Sequence, residues 1–183
     1  MFHGRHGAHW GSFRSPELEK LIEETMNHVE AAADLGCGEG RFCGVLSRHA
    51  DKVYCVDADA DAIEAARGSA AGGNAVFLVE DAGRTSIPSG EVGVVLMVNS
   101  FHDMQDKRAV AREVYRILRD GGRALIIEFK PGVGGFGPPS WIRMKPGEVA
   151  EILGEAGLRL ERIDEVGNQN ALLFRKQAGA GNV

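Results

Sequence analysis

Short apolar runs alternate with helical segments along most of this chain, and the alternation limits the folds available to it. The runs are apolar or β-branched and occupy residues 31–35, 53–56, 76–79, 92–98 and 124–129. Between several of them, apolar residues recur at helical spacing, over residues 41–49, 59–67 and 106–118. Strands joined by helices form crossover units, and such units build a largely parallel sheet that is covered on both faces.

The two ends of the chain extend this pattern differently. Ser15-Pro16 supplies an N-cap and a proline at the first helical position, so a helix should begin there. A last helix is expected from about residue 146 to 157, and a Gly167-Asn168 turn separates two strand-like segments as in a hairpin. We therefore predict a Rossmann-like α/β sandwich of three layers, with a seven-stranded, mostly parallel sheet and an antiparallel last strand.

The whole chain, residues 1–183, is predicted to be one domain with an N-terminal arm at 1–14 and a frayed tail at 177–183. Its net charge of −5, without a long Lys/Arg run, does not favour a nucleic-acid partner. No apolar stretch is long enough for a membrane span and no signal peptide opens the chain, so we expect no membrane partner. The oligomeric state stays open, and a homo-oligomer is compatible with the sequence.

Three cysteines, Cys37, Cys43 and Cys55, lie close together in the chain without metal-ligand spacing. Their odd number argues against a disulfide framework, so a reducing cytoplasm is the expected location. His3, His6 and His9 recur every three residues in the N-terminal arm, but no acidic or cysteine residue accompanies them there. We therefore predict no metal site.

The glycines after the first apolar run are the strongest functional signal. Gly36, Gly38 and Gly40 follow Asp34 and precede a helical segment. Glycines at such a place let the backbone turn sharply and lie against a ligand, although some loops of this kind are only tight turns. A dinucleotide fingerprint would place its third glycine at position 41, which is arginine. The spacing therefore disfavours a nicotinamide-dependent dehydrogenase.

Two further acidic residues follow the next two strands. Asp57 ends the second strand and is followed by Ala58, and a carboxylate there accepts both hydroxyls of a ribose in nucleoside-binding folds. Asp81-Ala82 follows the third strand, where a carboxylate and a backbone N–H can bind an adenine. Read singly, Asp57 could cap a loop and Asp81 could cap a helix. Together with the glycine loop, they describe one nucleoside site.

This pattern resembles the class I S-adenosylmethionine-dependent methyltransferases, and over residues 113–123 it is similar to the ubiquinone/menaquinone biosynthesis branch. The resemblance covers nearly the whole chain, and it implies the seven-stranded sheet, S-adenosylmethionine as the cofactor and methyl transfer as the reaction. We expect the acceptor to be a small molecule. The resemblance does not identify the acceptor. The predicted cofactor-binding residues are Asp34, Gly36, Cys37, Gly38, Gly40, Asp57, Ala58, Asp81, Ala82 and Asn99.

The acceptor side is predicted from the segments after strands four and five. The first reads Asn99-Ser100-Phe101-His102 and lacks the Asn/Asp-Pro-Pro-aromatic motif of many amino methyltransferases. His102 is the one predicted catalytic residue, as a general base, with bracing of its loop as the alternative. Phe101, His102 and residues 130–144 are expected to form the acceptor pocket, unless the glycine-rich 130–144 segment is only a flexible linker.

Two other functions remain open from the sequence. One is methylation of a protein or an RNA, which the acidic balance and the missing Pro-Pro motif disfavour. The other is a non-catalytic S-adenosylmethionine-binding subunit of a hetero-oligomer, which the small size of the chain leaves open.

Overall fold

The computed structural model describes residues 15–69, 73–134 and 136–178. The predicted arm at 1–14, with its three histidines, and residues 179–183 of the predicted tail lie outside the described residues. The helices are α1 (Pro16–Met26), α2 (Arg41–Leu46), α3 (Ala60–Ser69), α4 (Lys107–Ile117) and α5 (Pro146–Glu155). The strands are β1 (Val29–Leu35), β2 (Ala50–Asp57), β3 (Ala75–Val79), β4 (Val92–Val98), β5 (Leu118–Phe129), β6 (Leu158–Val166) and β7 (Gln169–Lys176).

The seven strands form one sheet in the order β3-β2-β1-β4-β5-β7-β6. Strands β1 to β5 pair in parallel, whereas β7 runs antiparallel to both of its neighbours, β5 and β6. The chain order reverses between β1 and β4, so the sheet has a topological switch point at its centre, where ligands bind in open α/β sheets. The predicted Rossmann-like fold and the antiparallel last strand are confirmed.

The helix boundaries follow from local capping. The Ser15 hydroxyl accepts a hydrogen bond from the Leu18 N–H at 3.3 Å, with proline in the first turn of α1. The Asp106 carboxylate accepts one from the Ala109 N–H at 2.9 Å and begins α4. One apolar cluster packs α4 and α5 on one face of the sheet, and a second packs α1, α2 and α3 on the other. The central strands are therefore buried on both faces.

Strand β5 begins earlier than predicted. Leu118, which directly follows α4, pairs with Val92, and the register then shifts so that Arg123 pairs with Val94. The intervening residues include Gly121, whose φ of +73° turns the backbone out of the ladder. The sequence predicts that the strand starts at residue 124, because residues 119–123 are polar residues and glycines. A loop and a β-bulge can both have this composition.

Two sequence predictions concern membrane-spanning helices and disulfides. No helix in the described ranges is long and apolar enough to cross a membrane. Cys43 and Cys55 pair as a disulfide between α2 and β2, and Cys37 is a buried free thiol. The odd cysteine count argued against disulfides, and this is wrong for the Cys43–Cys55 pair, because the β1–α2–β2 crossover brings these two cysteines together.

Candidate active site

A cleft of about 1510 Å³ opens along the carboxyl ends of the strands. It is lined by residues that follow β1, β2, β3, β4 and β5, and by the turn between β6 and β7. Nine of the ten predicted cofactor-binding residues line it, as does the predicted base. These are Asp34, Gly36, Cys37, Gly38, Asp57, Ala58, Asp81, Ala82 and Asn99, with His102.

The three glycines after β1 have different roles in the loop. All three have positive φ, at +75° for Gly36, +53° for Gly38 and +79° for Gly40. A Cβ on Gly36 would lie 2.6 Å from the Ser100 Cβ, so this glycine lets the loop after β4 approach. A Cβ on Gly38 would meet nothing within 4 Å, and this residue faces the open cleft.

Gly40 is the tenth predicted cofactor-binding residue, and it does not line the cleft. A Cβ there would lie 2.8 Å from the Ala66 Cβ, so the missing side chain lets α3 pack against the loop. Gly40 therefore contributes to the shape of the glycine loop through this contact with α3 and not through the cleft surface.

Two carboxylates, Asp34 and Asp57, lie beneath and beside the glycine loop. Asp57 Oδ2 accepts the Gly38 N–H at 2.8 Å, and its Oδ1 accepts the Asp59 N–H at 3.0 Å, which ties the loop to the end of β2. Asp34 is 1% exposed. Burial, and next the negative charge of Asp57, raise the pKa of Asp34 to about 8. The site therefore has a buried carboxyl whose ionised form a bound cation would stabilise.

The side chains of Asp81 and Asn99 already have protein partners. Asp81 Oδ1 accepts the Gly83 N–H at 2.7 Å within a turn, and the exposed side chain lines the cleft. No helix begins at this position, so the alternative of a helix cap is wrong. Asn99 has a φ of +53°, and its Oδ1 accepts a hydrogen bond from Gln169 Nε2 at 2.8 Å. Gln169, at the start of β7, was not predicted, because only the folded hairpin brings it to this edge.

His102 is held by a buried carboxylate. Its side chain is 4% exposed, and its Nδ1 lies 2.6 Å from Oε2 of Glu128, which is 2% exposed. The backbone N–H of His102 also donates to Glu128 Oε1 at 3.1 Å. Burial lowers the pKa of His102, but the hydrogen bond and charge of Glu128, with the charge of Asp103, outweigh it, so the pKa is raised. Glu128 was missed, although a lone acidic residue inside the apolar β5 was a readable signal.

Aromatic and proline side chains form the end of the cleft near β5. Phe129, Phe136, Pro138 and Trp141 line it, so much of the 130–144 segment forms a wall, as one of the two alternatives predicted. Phe101 was predicted beside them, and this is wrong. It is 0% exposed and packs in the apolar core, because the 3₁₀ turn Phe101–Asp103 directs neighbouring side chains to different sides.

Arg143 organises this wall from within. Its guanidinium donates to the carbonyls of Val133 at 2.6 Å, Pro138 at 2.8 Å and Lys130 at 3.1 Å. The residue is 9% exposed and lies 5.3 Å from the centre of the Phe129 ring. With a longer hydrogen bond to the Phe136 carbonyl at 3.4 Å, Arg143 binds four carbonyls of this segment, so the segment is an ordered loop and the alternative of a flexible linker is disfavoured.

A known protein family matches the part of the chain that contains this cleft. Residues 33–126, about half of the chain, match the family model described as a methyltransferase domain. The chain belongs to this methyltransferase family. The matched region runs from the glycine loop to the middle of β5 and contains Asp34, Asp57, Asp81 and His102.

Individual relatives agree with the family. The chain is 32% identical over 123 residues to the demethylmenaquinone methyltransferase of Thermus thermophilus, an alignment that covers 65% of this chain and 54% of that protein. It spans about half the length of the curated relatives it matches. A protein described as a type 11 methyltransferase from Sulfolobus solfataricus has a TM-score of 0.77 and 30% identity, over 94% of this chain and 98% of that one. An S-adenosylmethionine-dependent methyltransferase from Aquifex aeolicus shares the fold, with a TM-score of 0.81 and 24% identity over 86% and 88%.

The cofactor of the family, S-adenosylmethionine, fits the residues of this methyltransferase. Gly38 leaves room at the loop, and the carboxylate oxygens of Asp57 each use one acceptor site on a backbone N–H and keep another for a ribose hydroxyl. Cys37 is a space-filling residue in this loop, because burial, and next the charges of Asp34 and Asp57, raise the pKa of its thiol. An un-ionised thiol is a poor nucleophile, so Cys37 has no nucleophilic role in this loop.

Proposed function

We propose that this methyltransferase transfers a methyl group from S-adenosylmethionine to a small acceptor with a large apolar surface. The observation that carries the proposal is the continuity of the cleft, which joins the glycine loop and Asp57 to the aromatic wall at Phe129, Phe136 and Trp141. When bound, the cofactor supplies an electrophilic methyl group on a positively charged sulfur. Alignment of an acceptor atom with that methyl group accounts for much of the rate enhancement in such a displacement.

The aromatic wall supports an apolar acceptor. Trp141 is 85% exposed, and Phe136 and Ile142 are 44% and 38% exposed, although all three are large and apolar. Clustered exposed apolar side chains beside a cleft mark a binding surface for an apolar partner. The relative from Thermus thermophilus is a demethylmenaquinone methyltransferase. Precursors of menaquinone are therefore the first compounds to test.

His102 is the proposed general base. It lines the cleft, and Glu128 holds its Nδ1, so its Nε2 is the nitrogen left to face an acceptor, beside Asp103 Oδ2 at 3.4 Å. A base contributes only if the acceptor must lose a proton, as a hydroxyl or an acidic carbon does. The proposed acceptor therefore carries such a group on an apolar frame.

A label-transfer screen tests the proposal. The protein is incubated with methyl-labelled S-adenosylmethionine and a metabolite extract, and the label is counted in solvent-extractable, small polar, protein and RNA fractions. We expect label in the solvent-extractable fraction with wild-type protein and none with Asp57→Ala, which should lose the ribose contacts. Menaquinone precursors are then tested one by one.

Each alternative function gives a different result in the same screen. Label in the protein or RNA fraction would replace the small-molecule acceptor by a macromolecule. Cofactor binding by calorimetry, without label in any fraction, would favour a non-catalytic subunit. Binding of NAD without binding of S-adenosylmethionine or S-adenosylhomocysteine would contradict the cofactor itself.

A further inference from the structure

The charges that line the cleft are strongly one-sided. Arg41 is the one Lys or Arg among the described residues of the cleft wall, and it follows the glycine loop as the first residue of α2. An arginine in an otherwise acidic cleft offers a charged hydrogen-bond donor to an anionic group of a ligand. The acidic residues of the wall are Asp34, Glu39, Asp57, Asp59, Asp61, Glu80, Asp81 and Asp103.

The Arg41 guanidinium is incompletely satisfied by the described residues. One terminal nitrogen, Nη2, is buried and has no hydrogen-bond partner among residues 15–69, 73–134 and 136–178. The same nitrogen lies 3.6 Å from Glu19 Oε1 of α1, which is ion-pair distance but too long for a good hydrogen bond. The side chain is 25% exposed and its guanidinium lies 4.8 Å from the centre of the Phe42 ring. A buried donor without an acceptor is costly, and a carboxylate would satisfy it.

We propose that Arg41 binds the α-carboxylate of the methionine part of the cofactor and that Glu19 is a resident counter-ion which this carboxylate replaces. The inference rests on the proposed function, because it takes S-adenosylmethionine as the ligand. The methionine part of the cofactor carries one carboxylate beside an ammonium and a sulfonium. The acidic wall complements the two cations, and Arg41 complements the anion. Ser15, the N-cap of α1, and Leu18 of α1 line the cleft as well, so Glu19 lies on a helix that borders the site.

This assignment makes Arg41 a specificity residue for the amino-acid part of the ligand. S-adenosylhomocysteine has the carboxylate, whereas 5′-methylthioadenosine has the same nucleoside without the amino-acid group. An arginine that binds the carboxylate should distinguish the two compounds. An arginine that only supports the glycine loop should affect both compounds equally.

Calorimetry with these two nucleosides tests the assignment. We expect Arg41→Gln to weaken S-adenosylhomocysteine by about 10- to 100-fold, the effect of losing charge-assisted hydrogen bonds, and to change 5′-methylthioadenosine by less than about two-fold. Arg41→Lys keeps the charge but loses the planar fork, so it should restore part of the affinity. Arg48→Gln is the matched control, because Arg48 also pairs with a glutamate of α1, at 2.7 Å, but does not line the cleft.

The outcomes separate this inference from the proposed function. Equal losses for both nucleosides, or no loss for either, would overturn the role of Arg41 while leaving the cofactor in place. Glu19→Gln should leave S-adenosylhomocysteine as tight as in wild type or a few-fold tighter, and a clear loss would overturn the counter-ion role. If wild-type protein does not bind S-adenosylhomocysteine, the proposed function fails, and this inference fails with it.

Discussion

At the scale of single residues, Glu128 determines when His102 can accept a proton. A base must be neutral before it accepts a proton, and the pKa of His102 is raised because Glu128 and Asp103 outweigh the effect of burial. The folded state therefore holds the imidazolium proton to higher pH than a free histidine does. That contribution to stability is fully present below the unfolded pKa and is lost as pH rises through the folded pKa.

We predict that Glu128→Gln lowers the pKa of His102, because the substitution removes the negative charge and leaves the burial. The measurement is an NMR titration of the His102 ring in wild type and in the variant. With an acceptor in hand, the acidic limb of the rate profile should move to lower pH in the variant. Asp103→Asn is the control and should shift the titration less, since Asp103 contributes only a charge. An identical titration in wild type and Glu128→Gln would refute the coupling.

A second prediction separates catalysis by His102 from support of its loop. If His102 is the base, His102→Ala should lower turnover by about 100-fold or more. The affinity for S-adenosylhomocysteine should stay within about two-fold, because all the predicted cofactor residues except Asn99 lie on other loops and the substitution leaves Asn99 in place. If His102 only braces the loop, turnover and thermal stability should fall together by modest amounts. Turnover at saturating cofactor, calorimetry and a thermal melt distinguish these results.

At the scale of elements, Arg143 gives the 130–144 segment its shape. Its three shortest hydrogen bonds, at 2.6, 2.8 and 3.1 Å, join carbonyls that are up to eight residues apart in the chain. No carboxylate competes for the guanidinium in the hydrogen bonds that the described residues form. Hydrogen bonds to the Arg143 guanidinium therefore hold the glycine-rich segment in its conformation.

We predict that Arg143→Met destabilises the folded state by about 2 kcal/mol, because several partly buried carbonyls lose charge-assisted donors together. The loosened wall should raise KM for an apolar acceptor by about ten-fold or more and leave cofactor affinity nearly unchanged. Chemical denaturation and steady-state kinetics check the two parts. Arg48→Met is the control, because Arg48 pairs with Glu23 of α1 at 2.7 Å and does not line the cleft. A loss of cofactor affinity equal to the rise in KM would contradict a role confined to the acceptor end.

Elements whose signal is local could be predicted from the sequence. The Ser15 cap, the glycine loop and the Gly167-Asn168 hairpin depend on residues that are close in the chain, and all three are present. Glu128, Gln169 and the contacts of Arg143 could not be predicted, because their partners lie on other elements and meet only when the sheet forms. Phe101 shows the same limit. Its position next to His102 predicts a residue of the acceptor pocket, but the backbone turn directs its side chain to the core.

At the scale of the whole molecule, the cofactor half and the acceptor half of the site belong to different strands of the sheet. The cofactor residues Asp34 and Asp57 lie at the carboxyl ends of β1 and β2, and Asp81 follows β3, whereas His102 and the aromatic wall lie at the ends of β4 and β5. The topological switch between β1 and β4 brings the halves together. The loop after β5 can thus change with the acceptor, whereas the loop after β4 is constrained because Ser100 donates to the Leu35 carbonyl at 3.0 Å, next to the glycine loop.

The buried carboxyl of Asp34 links this central site to the stability of the fold. Its pKa of about 8 in the folded state exceeds its ordinary value of 3.8, because burial and the charge of Asp57 disfavour the ionised form. Between these values the folded protein holds a proton that the unfolded chain releases. A rise in pH over this interval therefore favours unfolding, with a slope of up to about 1.4 kcal/mol per pH unit from this one group.

We predict that Asp34→Asn removes this slope, because an amide has the shape of the carboxyl but does not titrate. The free energy of unfolding, measured by denaturation from pH 5 to pH 8, should fall more steeply in wild type than in the variant. The difference should be largest at the alkaline end, where the variant becomes the more stable protein. Asp59→Asn is the control, because Asp59 is an exposed acid of the same cleft, and its curve should follow wild type. Parallel curves for wild type and Asp34→Asn would show that Asp34 is ionised throughout, and the site would then carry its full negative charge before any cation binds.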